Sequence, residues 1–243
     1  APIVVQTGEA SIVDSGMTKM LVDTAKLKMD KLEDSTKEFM KLKKINKCEL
    51  VSKVVIGTVV NSIQKETMKM EADLVIMGTK GDGHSRMEKT FGTISSSLLI
   101  NSKCPVIFVP SGCIFKSLSQ IMFATDLDIE AQFYLWKALK AMSPFNPNVN
   151  YLHVVYTEEK TSKECLKEIS EYLVDTSPAL NSAVRIINGF NPEDFIEEHA
   201  MKIEADLILM SKKKKSAIVR LWNPSRTKRV LDKLSSVPLM VVS

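Results

Sequence analysis

The runs Gly78-Thr79-Lys80-Gly81-Asp82-Gly83-His84 and Gly92-Thr93-Ile94-Ser95-Ser96-Ser97 hold the residue types from which an anion site can be built. Gly78, Gly81 and Gly83 put three of the chain's nine glycines within six positions. A glycine has no Cβ, so backbone N–H groups there can come close to an anion. Gly92-Thr93 then opens a helical segment whose first N–H groups and dipole favour a phosphate. Thr93, Ser95 and Ser96 can add hydroxyl donors. A plain strand-to-helix turn that needs positive φ, with Thr93 as an ordinary N-cap, would use the same residues.

The remaining chemistry-bearing residues converge less. His84, His153 and His199 are scattered, with no triad or metal spacing. His84 lies in the glycine loop, within reach of a phosphate or simply in solvent. His153 reads as a satisfied histidine within a strand, and His199 as a helix residue near Glu197 and Glu198. Cys48, Cys104, Cys113 and Cys165 form no C-x-x-C pair, which argues against a zinc site or a disulfide framework. No catalytic residue and no metal ligand is assigned. Lys212–Lys215 with Arg220, Arg226, Lys228 and Arg229 make a basic cluster. A phosphate, an RNA or an acidic partner could meet it. A solvated loop explains it as well, and with Trp222 as the lone interleaved aromatic, nucleic acid is not the expected partner.

These residues must be positioned by elements that the sequence repeats. Glu71-Ala72-Asp73-Leu74-Val75-Ile76-Met77 returns as Glu204-Ala205-Asp206-Leu207-Ile208-Leu209-Met210, an offset of 133. Cys104-Pro105-Val106-Ile107-Phe108-Val109 returns as Val237-Pro238-Leu239-Met240-Val241-Val242 at the same offset. Two separate segments sharing one offset imply two copies of one domain. They are divided as residues 1–112 and 113–243, with the break near Pro110 to Ser119.

The second copy has every element. Strands are expected at Gln120–Thr125, Tyr151–Tyr156, Ala183–Ile187, Leu207–Met210 and Leu239–Val242. Helices are expected at Ile129–Met142, Glu164–Leu173, Pro192–Ile203 and Thr227–Leu234. Such strands, apolar throughout and alternating with helices, predict α/β domains with an open parallel sheet covered on both faces. In the first copy the strands are Leu50–Ile56, Leu74–Met77 and Val106–Val109. Its helices are Met17–Lys43, Val60–Met70 and Thr93–Asn101. The counterparts of the first strand and its helix, and much of the second strand, are missing. Ile3-Val4-Val5 is too short a run to replace them. The expectation is therefore that the sequence lacks its native N-terminus, the other reading being a shortened domain.

The segment Gly-x-x-Gly, loop, Gly-Thr, then Cys-Pro-Val-Ile-Phe-Val resembles the signature of the universal stress protein family. Glu71–Gly81 is similar to that family's fourth strand, and Ile121-Met122-Phe123-Ala124-Thr125-Asp126 to its opening strand with a terminal Asp. The resemblance covers nearly the whole chain as a tandem two-domain member. It implies Rossmann-like domains of the adenine nucleotide alpha hydrolase-like type, with the first strand and helix absent from copy one. It also implies ATP as the ligand, with or without Mg²⁺. Gly78, Gly81, Gly92 and Thr93 match the family's phosphate-binding pattern, with Thr79, Lys80, Ile94 and Ser95 beside them. Val55 falls near its adenine-side contact. Residues 82–91 number ten where the family usually has nine. In copy two the pattern becomes Ser211, Lys214, Ser225 and Arg226, so that half reads as degenerate, with Asp126 a weaker candidate or only a turn residue. The family often pairs through its last strands, here Ile107–Val109 and Met240–Val242. An intramolecular pseudo-dimer is expected, able to form a homodimer, with a protein partner that the sequence does not identify.

Composition bounds the function classes. Hydrophobic residues make up 44% of 243 positions and charged residues 26%, which gives a real core and argues against disorder. The net charge of +4 is too mild to imply nucleic acid. No apolar run reaches the ~20 residues of a membrane helix, and residues 1–8 do not read as a signal peptide. A cytoplasmic location is expected. The function expected is a stress-response regulator that binds ATP or a related nucleotide through the copy-one loop. A non-binding interaction scaffold and a weak ATPase are the alternatives, the latter without a residue to act as base.

Overall fold

The computed structural model describes residues 3–5, 15–79, 94–95, 97–98, 102–125, 129–155, 182–188, 192–211 and 237–242. The chain divides into two compact units, 1–71 and 72–243, each treated by itself below. The helices expected at 164–173 and 227–234, the basic cluster of 212–229 and His84 lie outside the described residues.

The first unit holds β1 (Ile3–Val5), α1 (Ser15–Leu42), β2 (Ser52–Val54) and α2 (Val59–Lys69). Ala25 and Met29 are its buried apolar residues on α1, four apart and so on one face. Glu33, one turn further, accepts the Ser52 hydroxyl and pairs with Lys37. Lys53, the next residue of β2, pairs with Glu66 of α2. Successive strand residues point to opposite faces, so β2 is tied to α1 on one face and to α2 on the other. The Lys53 hydrogen bond holds the Glu66 carboxyl below its ordinary range.

Ile3–Val5 corrects the sequence reading. The run forms a strand, parallel to β2, with Ile3 opposite Ser52 and Val5 opposite Val54. Shifted by 133, Ser52 becomes Arg185, whose partner in copy two is Leu152. β1 therefore takes the place of the second strand of its copy. Three residues suffice because the register, not the length, sets which strand neighbours β2.

The second unit is a seven-stranded sheet. Its strands are β3 (Val75–Gly78), β4 (Val106–Val109), β5 (Gln120–Ala124), β6 (Asn148–Val155), β7 (Ser182–Asn188), β8 (Leu207–Ser211) and β9 (Leu239–Val242). Its longer helices are α3 (Ile129–Met142) and α4 (Pro192–Lys202). The order is β3-β4-β9-β8-β5-β6-β7. All neighbours are parallel except β4 and β9, which run antiparallel with Val106 opposite Val241, Ile107 opposite Met240 and Phe108 opposite Leu239. The expected pairing of the two last strands is thus present, and it joins strands of both copies into one sheet.

Alternate residues feed two cores. One face carries Met122, Ala124, Ile208, Met210, Leu239 and Val241, packed with Ile196 and Ala200 of α4. The other carries Ile121, Phe123, Leu207, Leu209, Met240 and Val242, packed with Leu135, Ala138, Leu139 and Met142 of α3. This is why the strands read as unbroken apolar runs. α3 has the predicted bounds, and Ser143–Phe145, which contains Pro144, tightens into a 3-10 turn after it.

Candidate functional site

β3 is held to β4 along its length and one residue beyond. The Val75 N–H donates to the Pro105 carbonyl at 2.9 Å, and the Thr79 N–H to the Val109 carbonyl at 3.0 Å. Gly78 and Thr79 thus leave the sheet at its carboxyl end with fixed direction, where ligands of open parallel sheets bind. The start of β3 is fixed too. The buried Cys104 thiol donates to the Ala72 carbonyl at 3.1 Å, and burial pushes that thiol up from its ordinary pKa. Cys104 is accordingly a packing residue rather than a nucleophile.

Ile94, Ser95, Ser97 and Leu98 are helical. Ser95 is 2% exposed, and its hydroxyl lies 3.4 Å from the Gly78 carbonyl and 3.3 Å from that of Thr79. A hydroxyl has one proton, so it is shared between these two acceptors. The contact draws together residues 78–79 and 94–95, the two ends of the glycine loop. Leu98, three residues on and fully buried, anchors the same helix face.

Of the sequence-predicted residues, the structure brings Gly78, Thr79 and Ser95 together, with Ile94, next to Ser95 in the chain, exposed. Lys80, Gly81, Gly92, Thr93 and Asp126 lie outside the described residues. Val55 belongs to the first unit, where it follows β2 and is half-buried. Gly57, two residues later, has φ 147°, and a Cβ there would lie 2.8 Å from the Ser62 hydroxyl. Glycine therefore sets the turn that follows Val55.

At the matching end of copy two, His153 is a satisfied strand histidine, as read from sequence. Its Nδ1 lies 2.8 Å from the Thr125 carbonyl, which fixes that nitrogen as the donor. Ser211 stands where copy one has Gly78, and it is buried to 5% exposure.

Sequence reasoning passed over Asp206. Its carboxylate accepts from the hydroxyls of Ser117 and Ser119 at 2.9 Å, and from the N–H groups of Ser119 at 2.8 Å and Gln120 at 3.0 Å. Partial burial works against its charge, but these hydrogen bonds outweigh it and hold the carboxyl below its ordinary value. The cluster clamps residues 117–120 onto the start of β8. The signal was the repeated Glu-Ala-Asp triplet, which had served only to mark the repeat.

Among the described residues, no group of three His, Cys, Asp or Glu side chains is placed to hold a metal ion. No described helix is long and apolar enough to cross a membrane.

Parallel strands with a glycine-flanked loop running from a strand's carboxyl end into a helix define an open α/β protein of the kind that carries ligands at that end. Residues 4–110 match the model of the Universal stress protein family. Solved structures share the fold over 99% of this chain. A universal stress protein from Archaeoglobus fulgidus DSM 4304 is similar at 19% identity and a TM-score of 0.67, over 83% of its own length. A functionally unknown protein from Pseudomonas aeruginosa PAO1 is similar at 14% identity and 0.65, over 92% of its length. A putative universal stress protein from Pseudomonas aeruginosa UCBPP-PA14 is similar at 13% identity and 0.63, also over 92%. No curated protein matches the chain.

Proposed function

We propose that the chain is a stress-response regulator whose first copy binds ATP or a related nucleotide through the loop 78–95. The observation that carries this is the closure by Ser95: the loop leaves and re-enters the fold at one point, the carboxyl end of β3. Holding the two ends of a loop together lowers the ordering cost of gripping an anion. Gly78, Thr79, Lys80, Gly81, Gly92, Thr93 and Ile94 form the phosphate side in this reading. A bound divalent ion such as Mg²⁺ would neutralise phosphate charge. Copies 1–112 and 113–243 divide the work: copy two keeps the strands and lacks the glycines, so Asp126 there serves a turn. Occupancy of copy one regulates a pseudo-dimer or homodimer surface and through it a protein partner in the cytoplasm. Hydrolysis is at most weak, because no base is assigned.

The Ser95 contact also favours a second reading. The hydroxyl proton is committed to two carbonyls rather than to a phosphate, as suits a scaffold that keeps the glycines only for the turn. The deciding experiment is mass spectrometry of small molecules released by denaturing the purified native protein. Near-stoichiometric ATP or ADP supports the nucleotide reading. An empty protein that Mg-ATP does not stabilise supports the scaffold. Steady hydrolysis that vanishes in Gly92→Val supports the ATPase.

A further inference from the structure

Residues 113–119, which lead from the last strand of copy one into the first strand of copy two, make no turn, bend or helix. The segment is nevertheless fixed at both ends. At its start the Cys113 N–H donates to the Pro110 carbonyl at 3.2 Å, around Gly112, whose φ of 80° suits a glycine. At its end Leu118 packs into the core shared with α3, and Asp206 gathers Ser117 and Ser119. Between these anchors stand Ile114 and Phe115, 78% and 67% exposed. The Phe115 ring meets that of Phe145 edge-on, with centroids 6.1 Å apart. Phe145 is itself 47% exposed, and it is positioned by the 3-10 turn of Ser143–Phe145 and by the left-handed Asn146 that follows it. The patch lies at the entry to β5 and β6, and β5 already has a neighbour on each side, β8 and β6. It is therefore not a place left for another strand of the sheet. Aromatic rings held rigidly in water make the composition of a binding hot spot.

We propose that residues 114–116, together with Phe145, are the docking site for a short extended segment of a partner protein, one that carries apolar side chains and an acidic residue. Size selects a short segment. Ile114, Phe115 and Phe145 offer on the order of 400 Å² of apolar surface, half of the ~800 Å² per partner in a stable protein interface. That is too little to hold a second copy of the chain. The main chain selects an extended segment. Among the described residues, no hydrogen bond engages the main chain of Ile114, Phe115 or Lys116, so their N–H and C=O groups are open to a ladder with an incoming strand. Charge selects the acidic residue. Lys116 is exposed, and no carboxylate among the described residues pairs with it. The Asp206 clamp acquires a role in this arrangement: it sets the backbone of the site before the partner arrives, which lowers the ordering cost of binding.

The test selects a displayed library of random heptapeptides on the full chain. The expected result is an enriched class with apolar residues at alternate positions, which share one face of a strand, and a carboxylate beside them. A synthetic peptide of that class should bind saturably, one to one. Phe115→Ser should weaken it at least tenfold and leave Tm unchanged, because the ring is mostly in water. Lys116→Glu, which keeps the apolar patch, should turn the selection from acidic to basic peptides. Absence of an enriched class overturns the proposal, as does a class that the Phe115→Ser variant binds equally well. So does a dimer of the chain alone that Phe115→Ser dissolves, which would give the patch to a second copy.

Discussion

Ile107 lies directly opposite Met240 across the antiparallel junction of β4 and β9, and Met240 is the residue that occupies the position of Ile107 in the second copy. A strand pair centred on two equivalent residues has local two-fold symmetry. The flanking pairs Val106–Val241 and Phe108–Leu239 exchange under it, because Val241 is the counterpart of Phe108 and Leu239 that of Val106. This is the self-complementary arrangement of a symmetric dimer, made within one chain.

The junction is predicted to be a main source of the second unit's stability. Ile107 and Met240 are both buried and face one core, while Phe108 faces the other. Ile107→Lys should cost on the order of 4 kcal/mol or more by burying an unpaired charge, and Phe108→Ala about 3–5 kcal/mol. Urea unfolding measures both. A double-mutant cycle of Ile107→Ala and Met240→Ala should show a coupling of about 0.5–1 kcal/mol; strict additivity would mean that the pair does not interact.

Asp206 is predicted to make stability depend on acid pH. Its carboxyl is held below the ordinary value by hydrogen bonds that the unfolded chain lacks, so the folded state favours the charged form. The contribution is complete above the unfolded carboxyl's pKa of about 3.9 and fades as pH falls through the lower folded value. Asp206→Ala should destabilise by about 2 kcal/mol at neutral pH, since hydrogen bonds to charged groups are lost. The gap between wild type and variant should narrow below about pH 4. A constant gap from pH 7 to 3 would assign the loss to packing.

Glu71 and Glu204 are predicted to be strained in the same way. They are repeat counterparts with φ of 47° and 50°, in the left-handed region. Each follows the end of a helix, α2 or α4. The Glu204 N–H donates to Met201 and the Ala205 N–H to Ala200, the paired bonds of a Schellman turn. Glycine takes this conformation without a Cβ clash, so Glu204→Gly should stabilise by up to about 1 kcal/mol. In thermal melts that is a rise of about 2–4 °C. A loss would show that the Glu204 side chain makes a compensating contact.

Gly57 is predicted to be irreplaceable in the turn after Val55. Gly57→Ala combines a φ of 147° with a 2.8 Å approach to the Ser62 hydroxyl. It should destabilise the first unit by about 1–3 kcal/mol. Adding Ser62→Ala should recover the steric part but not the backbone part, a division that stability measurements on the single and double variants would reveal.

Nucleotide binding is predicted to depend on the loop glycines. With Mg-ATP at 100 times its Kd, the wild type should gain about 2.7 kcal/mol by linkage, and Gly92→Val should gain none while folding normally. Equal responses in a thermal-shift titration would remove the loop from the ligand site.

Local pattern alone determined most of the elements. α3 was legible at both ends because Leu135, Ala138, Leu139 and Met142 share one helical face. The strands β8 and β9 were legible because both of their faces are buried. The repeat announced two copies because matching apolar segments recur at one offset of 133. What only the tertiary structure decided is non-local. Ile3–Val5 is too short to declare itself, and it becomes a strand through pairing with β2. The proton of Ser95 could have served many acceptors, and packing directs it to Gly78 and Thr79. Asp206 is meaningful only once residues 117–120 are folded onto β8. The register that sets Ile107 against Met240 depends on which edges meet, a choice between contacts more than 130 residues apart in sequence that no local periodicity encodes.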